Sequence, residues 1–228
     1  MKIFNKIKNI IYSKVESDKY FPNPIDYNLN LTLYRNNKFS QNGEDGILEE
    51  LFKRLDIEKG WACEFGAWDG KHLSNTFNLV CNYDWNCVMI ESDKEKFLDL
   101  QKTASDYSNI HPLNETVHYK KGHGELLDDI LDLTDIPDNF HLLSIDVDSC
   151  DYHIWKSLKR YKPKIVIIEC SGLKEYIIQR EGAIHKKDKD GSTSLLPLKE
   201  LGEQKGYKLL CNVGNLIFLR NDSYELLS

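Results

Sequence analysis

The sequence predicts a Rossmann-like α/β fold: a seven-stranded, mostly parallel sheet with one antiparallel hairpin strand, plus an N-terminal helical appendage. Three observations predict it. From residue 61 onward, short apolar runs alternate with helical patterns, the rhythm of a doubly wound sheet. Two of the early runs end in an acid, at Glu64 and Glu91, and the first opens at once into glycine, as ligand-binding strand ends do. The last two runs are separated only by Val213-Gly214, so they form a hairpin and bring an antiparallel strand into the sheet.

Taken in order, Met1 to Ile11 reads as an amphipathic helix, with Ile3, Phe4, Ile7, Ile10 and Ile11 on one face and Lys2, Lys6 and Lys8 largely off it. It is expected to pack on its own domain or on a second copy of the chain, giving a homo-oligomer, with a membrane-surface helix as the alternative. Tyr20-Phe-Pro-Asn-Pro-Ile25 forbids regular structure and marks a linker, which divides an appendage, 1–38, from the main domain, 39–228. Ser40 is placed to cap a helix from Ile47 to Leu55 with acids in its first turn. Strands follow near 61–65, 87–91, 115–119, 141–146, 164–169, 207–212 and 215–219. Helices fall near 73–83, 93–105, 124–132, 151–160 and 194–205.

The 228 residues are 41% hydrophobic, enough for one sizeable core. Net charge is -6 with acids and bases interspersed, which argues against nucleic acid as a partner. No run reaches the ~18 apolar residues of a transmembrane segment. The six cysteines are scattered, several inside apolar strands, and form no CxxC pair. That pattern reads as a reduced, cytoplasmic protein without structural zinc.

The most informative stretch is Trp61-Ala-Cys-Glu-Phe-Gly-Ala-Trp-Asp-Gly70. Its strand delivers Glu64 to the carboxyl edge of the sheet; Gly66 and Gly70 permit a tight turn and close approach to a ligand, and the segment after Asp69 is placed to start a helix whose free N–H groups face the site. Roughly 22 residues after Gly66 the second strand begins, and its terminal acid, Glu91, is placed to hydrogen-bond ribose hydroxyls. The dinucleotide fingerprint G-x-G-x-x-G is absent: counting from Gly66, the second residue on is Trp68, where the motif has glycine, and the third is Asp69. A carboxylate beside two phosphates would be repulsive by roughly several kcal/mol if desolvated, which argues against an NAD-dependent oxidoreductase. A cofactor with no phosphate and a cationic or zwitterionic end fits better, and S-adenosyl-L-methionine is that cofactor.

A second set of acids lies further along. Asp146, Asp148 and Asp151 stand at the mouth of the fourth strand and Glu169 at that of the fifth. Converging carboxylates suit Mg²⁺ or Mn²⁺, with Asp146, Asp148 and Glu169 as ligands; Asp148 and Asp151 have the alternative of capping the next helix. Methyl transfer to a hydroxyl needs the oxygen aimed at the methyl and relieved of its proton. Asp146, His153 and His185 are the candidate bases, and 180–192 reads as an acceptor-binding lid or a solvated loop.

These residues together resemble the FkbM-like family of S-adenosylmethionine-dependent methyltransferases, many of which O-methylate sugars in bacterial glycans and natural products. The resemblance runs from about Phe39 to Arg220 and is carried by Ser40-Gln41-Asn-Gly43-Glu44-Asp45, Glu64-Phe-Gly66-Ala-Trp-Asp69-Gly70, Leu73-Ser74-Asn75-Thr76, Ile90-Glu91, Leu143-Ser-Ile-Asp146-Val-Asp148 with Asp151-Tyr152, Val166-Ile-Ile-Glu169, and Gly191-Ser192. It implies a class I methyltransferase fold and a cofactor held by Glu64, Gly66, Ala67 and Asp69 at its methionine end. Glu91 and Ser92 would lie at the ribose, and Gln41, Ser74 and Asn75 at the rim. Asp146 would be the catalytic or metal-binding acid, and the acceptor a nucleotide-activated sugar or a glycan such as a capsule polysaccharide. The chain departs from the family pattern at Ser149, where glycine is usual, and at Cys170-Ser171, where Tyr-Asn is usual. Both departures concern the acceptor and metal side. The competing readings are a methyltransferase of a non-sugar small molecule and a binding module without turnover, which would need neither Glu91 nor Asp146.

Overall fold

The computed structural model describes residues 29–147, 150–170, 176–180 and 192–227. The amphipathic 1–11 segment, the 20–25 linker, Asp148, Ser149, Ser171, His185 and most of the 180–192 segment lie outside the described residues.

Seven strands form one sheet: β1 (Trp61–Phe65), β2 (Asn86–Ile90), β3 (Ile110–Leu113), β4 (Leu142–Ile145), β5 (Ile165–Glu169), β6 (Tyr207–Asn212) and β7 (Asn215–Arg220). Their order is β3-β2-β1-β4-β5-β7-β6, with β7 antiparallel to both neighbours and the other pairings parallel. This is the sheet of the class I methyltransferase fold. The helices are α1 (Glu44–Arg54), α2 (Phe77–Tyr83), α3 (Lys94–Asp106), α4 (Leu127–Leu131), α5 (Asp151–Ser157), α6 (Leu195–Gln204) and α7 (Asn221–Tyr224).

Alternation along the strands decides which helices cover which face. Cys63, Phe65, Leu143 and Ile145 point into the cluster that holds Leu127, Ile154, Trp155 and Leu198, so α4, α5 and α6 lie on that side. Ala62, Cys87, Met89 and Leu142 point into the cluster of Leu48, Phe52, Phe77 and Leu100, which places α1, α2 and α3 on the other. Leu29 and Leu31 are buried in this second cluster, so the chain is already packed at the start of the described region. Each fully buried side chain of this size contributes roughly 1.5–3 kcal/mol. The resulting two-sided burial holds the strand ends fixed.

Three expectations are corrected. The third strand is Ile110–Leu113 and not 115–119; its Pro112 is tolerated because β3 is an edge strand, and 115–119 keeps only a single bridge, Val117 to Glu125. The helix expected from 73 begins at Phe77, because 73–76 is drawn into contact with Glu64. Ser40 is not the N-cap of α1, which starts at Glu44 behind Gly43 at φ +99°. Its hydroxyl instead accepts from the Asp45 amide at 3.1 Å, while Asp45 Oδ2 gathers the amides of Lys38, Phe39 and Ser40. The 213–214 hairpin forms as expected.

Candidate functional site

The carboxyl ends of β1, β2, β4 and β5 meet along one edge. β1 is flanked by β2 and β4 in register, Glu64 opposite Met89 and Ser144, so Glu64, Glu91 and Asp146 come to neighbouring strand ends.

Glu64 is 6% exposed and both of its carboxylate oxygens accept hydrogen bonds. One oxygen accepts from the Asn75 amide at 2.9 Å; the other accepts from the hydroxyls of Ser74 at 2.5 Å and Thr76 at 2.6 Å. Burial pushes its pKa above the ordinary carboxylate value, and the three donors pull in the opposite direction. Asn75 Nδ2 reaches Ser144 of β4 at 3.1 Å, so the knot ties β1, the 73–76 loop and β4 together. This is why no helix starts directly after Asp69. Asp69 itself closes a local turn, accepting from the amides of Lys71 at 2.9 Å and His72 at 2.7 Å.

Glu91, 5% exposed, follows β2 directly. One oxygen accepts from the Trp68 amide at 2.9 Å and the other from the Asp93 amide at 2.8 Å. It thereby fastens the β1 turn to the β2 turn. Trp68 sits at φ +46° with its ring exposed and the Lys96 ammonium 5.3 Å from the ring centroid. Asn114 Nδ2 donates to the carbonyls of Glu91 at 2.7 Å and Ser92 at 3.3 Å, adding the β3 end to the same brace.

Gly66 and Gly70 are also required by packing within the protein. A Cβ on Gly66 (φ +76°) would stand 1.9 Å from the carbonyl oxygen of Asp146, and one on Gly70 would meet Leu100 and Met89. Both serve close packing of protein on protein. Gly66 lets β1 and β4 approach each other at their ends, while its amide and that of Ala67 donate to the Ile90 carbonyl at 3.1 and 3.2 Å.

The β4–β5 side is more open. Asp146 is exposed and Glu169 half-buried. Asp151 accepts from the Val147 amide at 2.9 Å, which ties the end of β4 to the start of α5. His153 Nε2 lies 2.8 Å from the Gln179 carbonyl and its ring packs tilted against Tyr119, centroids 4.8 Å apart, so this nitrogen donates to the backbone and ties Gln179 to α5. Gln41 is exposed at the head of α1, its carbonyl accepting from Asn37 at 2.8 Å. Among the described residues no group of three or more His, Cys, Asp or Glu is arranged to hold a metal ion. Asp148, the third of the expected metal ligands, lies outside the described residues.

Sequence reasoning missed Thr76, Ser144, the Trp68 amide and Gln179. The run Ser74-Asn75-Thr76 after a buried acid was the available signal for the first; the others are made by contacts across the fold. A cavity of about 700 Å³ bounded by Tyr34, Phe52, Tyr83 and Trp85 holds none of the strand-end acids, so chemistry and not volume locates the site.

No family model matches the chain, and no curated protein sequence matches it. Solved structures do. The CurJ carbon methyltransferase aligns with a TM-score of 0.51 and 9% identity over 85% of this chain and 57% of that one. The citrinin polyketide synthase CMeT domain aligns with a TM-score of 0.48 and 12% identity over 88% and 58%. The N-terminal domain of EvdMO1, solved in the presence of SAH and D-fucose, gives 0.49 and 10% identity over 86% and 94%. The chain thus spans less than two thirds of the first two, and what the alignment with the CurJ domain shows is the fold.

Proposed function

We propose that this chain is an S-adenosylmethionine-dependent O-methyltransferase of FkbM-like type acting on a sugar hydroxyl. The observation that carries the reading is the pairing of two buried, hydrogen-bonded carboxylates, Glu64 and Glu91, with an exposed one, Asp146, on adjacent strand ends of this fold. The donor set suits the cofactor. Acids at the ends of β1 and β2 match an ammonium and a ribose diol and oppose phosphates. Glu91, Gly66, Ala67 and Ser92 would hold it, with Gln41, Ser74 and Asn75 toward the rim and Asp69 shaping the turn. Bound there, S-adenosylmethionine supplies an electrophilic methyl group.

The chain's own part is orientation and proton removal. Asp146 Oδ takes the proton of the acceptor hydroxyl as the oxygen is aimed along the line of transfer. The Gly66 contact beneath the Asp146 carbonyl sets that residue's place relative to the cofactor turn. His153 holds 176–180 against α5 and shapes the acceptor side. A saccharide or nucleotide-activated sugar as acceptor is supported by the family-like motifs, and Cys170 at the end of β5 makes that side this chain's own.

The test has two stages. Calorimetric titration with S-adenosylhomocysteine and with NAD should show saturable binding of the first and none of the second. A screen of nucleotide sugars and saccharides, read by a mass gain of one methyl group, then identifies the acceptor. Binding without any methylated sugar, alongside turnover on a non-sugar hydroxyl, would replace the sugar assignment.

A further inference from the structure

The edge of the sheet opposite the strand-end acids carries a second cavity of about 690 Å³. It lies between the end of α5, the turn leading into β5, the Lys205-Gly206 turn before β6 and the end of β7. Five cations line it, Lys156, Lys159, Lys162, Lys205 and Arg220, against one carboxylate, Asp222, in a chain whose net charge is -6. Helix stability accounts for part of this. Lys205 Nζ donates to the Leu158 carbonyl at 2.6 Å at the C-terminal end of α5, and Lys156 lies in the last turn of that helix. Arg220 Nε binds Asp222 at 2.8 Å.

Lys159 and Lys162 have no such employment: neither ammonium has a carboxylate partner among the described residues. The neighbouring acids are already answered. Asp128 accepts from the amides of Lys159, Arg160 and Tyr161, while Asp132 and Asp138 pair with Arg160. Trp155, its ring 0% exposed, forms the buried wall of the cavity.

We propose that this cavity is a binding site for a diphosphate group, held chiefly by Lys159 and Lys162 with Lys156 beside them. A multiply charged phosphate anion matches several ammonium donors lining one cavity, and a single carboxylate or chloride would not use several at once. The site is on the far edge of the sheet from Glu91, so its occupant does not displace the cofactor.

The experiment is calorimetry with inorganic pyrophosphate on the full chain at about 50 mM salt, repeated in saturating S-adenosylhomocysteine. Saturable binding is expected in both, weakened about tenfold or more by Lys159→Gln combined with Lys162→Gln, and further by K159E/K162E. Affinity for S-adenosylhomocysteine should stay within about twofold in these variants, which also shows that they are folded. Uridine diphosphate in a parallel titration separates sources: tighter binding than pyrophosphate assigns an esterified nucleotide, equal binding a free diphosphate. No saturable binding up to about 5 mM pyrophosphate, binding unaltered in the double variants, or displacement by S-adenosylhomocysteine would each overturn the assignment.

Discussion

The β1–β2 rim and the β4–β5 rim carry the same kind of side chain in opposite states. Glu64 and Glu91 are buried and each oxygen accepts at least one hydrogen bond from a turn, whereas Asp146 is exposed and Glu169 half-buried. A group that binds a ligand by shape gains from being fixed in advance. One that must take a proton from an arriving hydroxyl has to remain accessible until the acceptor is there. Under the proposed function the two rims separate cofactor holding from chemistry on one sheet edge.

Their contact point is the most sensitive place to disturb the contrast. Gly66→Ala puts a Cβ against the Asp146 carbonyl at a positive φ, and we expect a stability loss of about 3 kcal/mol or more by denaturant titration, with cofactor binding lost. A variant of wild-type stability would show that β4 can move away from β1.

Next in size is Asp146→Asn, which keeps shape and removes the proton acceptor. We expect kcat to fall by ~10²-fold with cofactor affinity unchanged. Near-normal kcat on the true acceptor would move the chemistry to Glu169 or to His185.

Glu64→Gln tests the other rim. An amide presents N–H groups to the donors of Asn75, Ser74 or Thr76, and we expect a loss of about 2 kcal/mol in stability. The pH dependence carries a sign. Because burial raises the Glu64 pKa in the folded state, this group's contribution is most favourable at and below the ordinary value of 4.5 and declines as pH rises through the folded value. Thermal melts of wild type against Glu64→Gln across that window should therefore differ in slope, and parallel curves would remove Glu64 from the pH dependence.

Glu91→Ala should weaken S-adenosylhomocysteine by about 1.5 kcal/mol, near tenfold, with a smaller effect on folding because its partners are turn amides close to solvent. An unchanged dissociation constant would separate Glu91 from the ribose. The smallest expected effect is that of a chelator on cofactor affinity, which should be none within error, since the cofactor-rim carboxylates are engaged by protein donors and need no ion. A chelator-dependent change in that affinity would place a metal between the rims.

Much of the fold was legible in the residues because it rests on local pattern. The alternation of Cys63 and Phe65 against Ala62 sets which side faces which helices, Val213-Gly214 sets the hairpin, and Asp93 caps α3 through the amides of Glu95 and Lys96. Where sequence reading failed, a distant partner outweighed local preference. Glu64 holds 73–76 out of the helix its composition favoured, and an edge position let Pro112 into a strand.

The sequence by itself determined the order of elements, the acids at the strand ends and the absence of phosphate-cradling glycines, since each is a matter of residue type and spacing along the chain. Only the tertiary structure decided what those residues touch. Hydrogen bonds from Ser74, Asn75 and Thr76 make Glu64 a structural knot, and the Asp146 carbonyl, standing where a Gly66 side chain would be, is why that position is glycine. Both depend on strands far apart in sequence lying side by side in the sheet, about 4.8 Å apart, a proximity that no local pattern encodes.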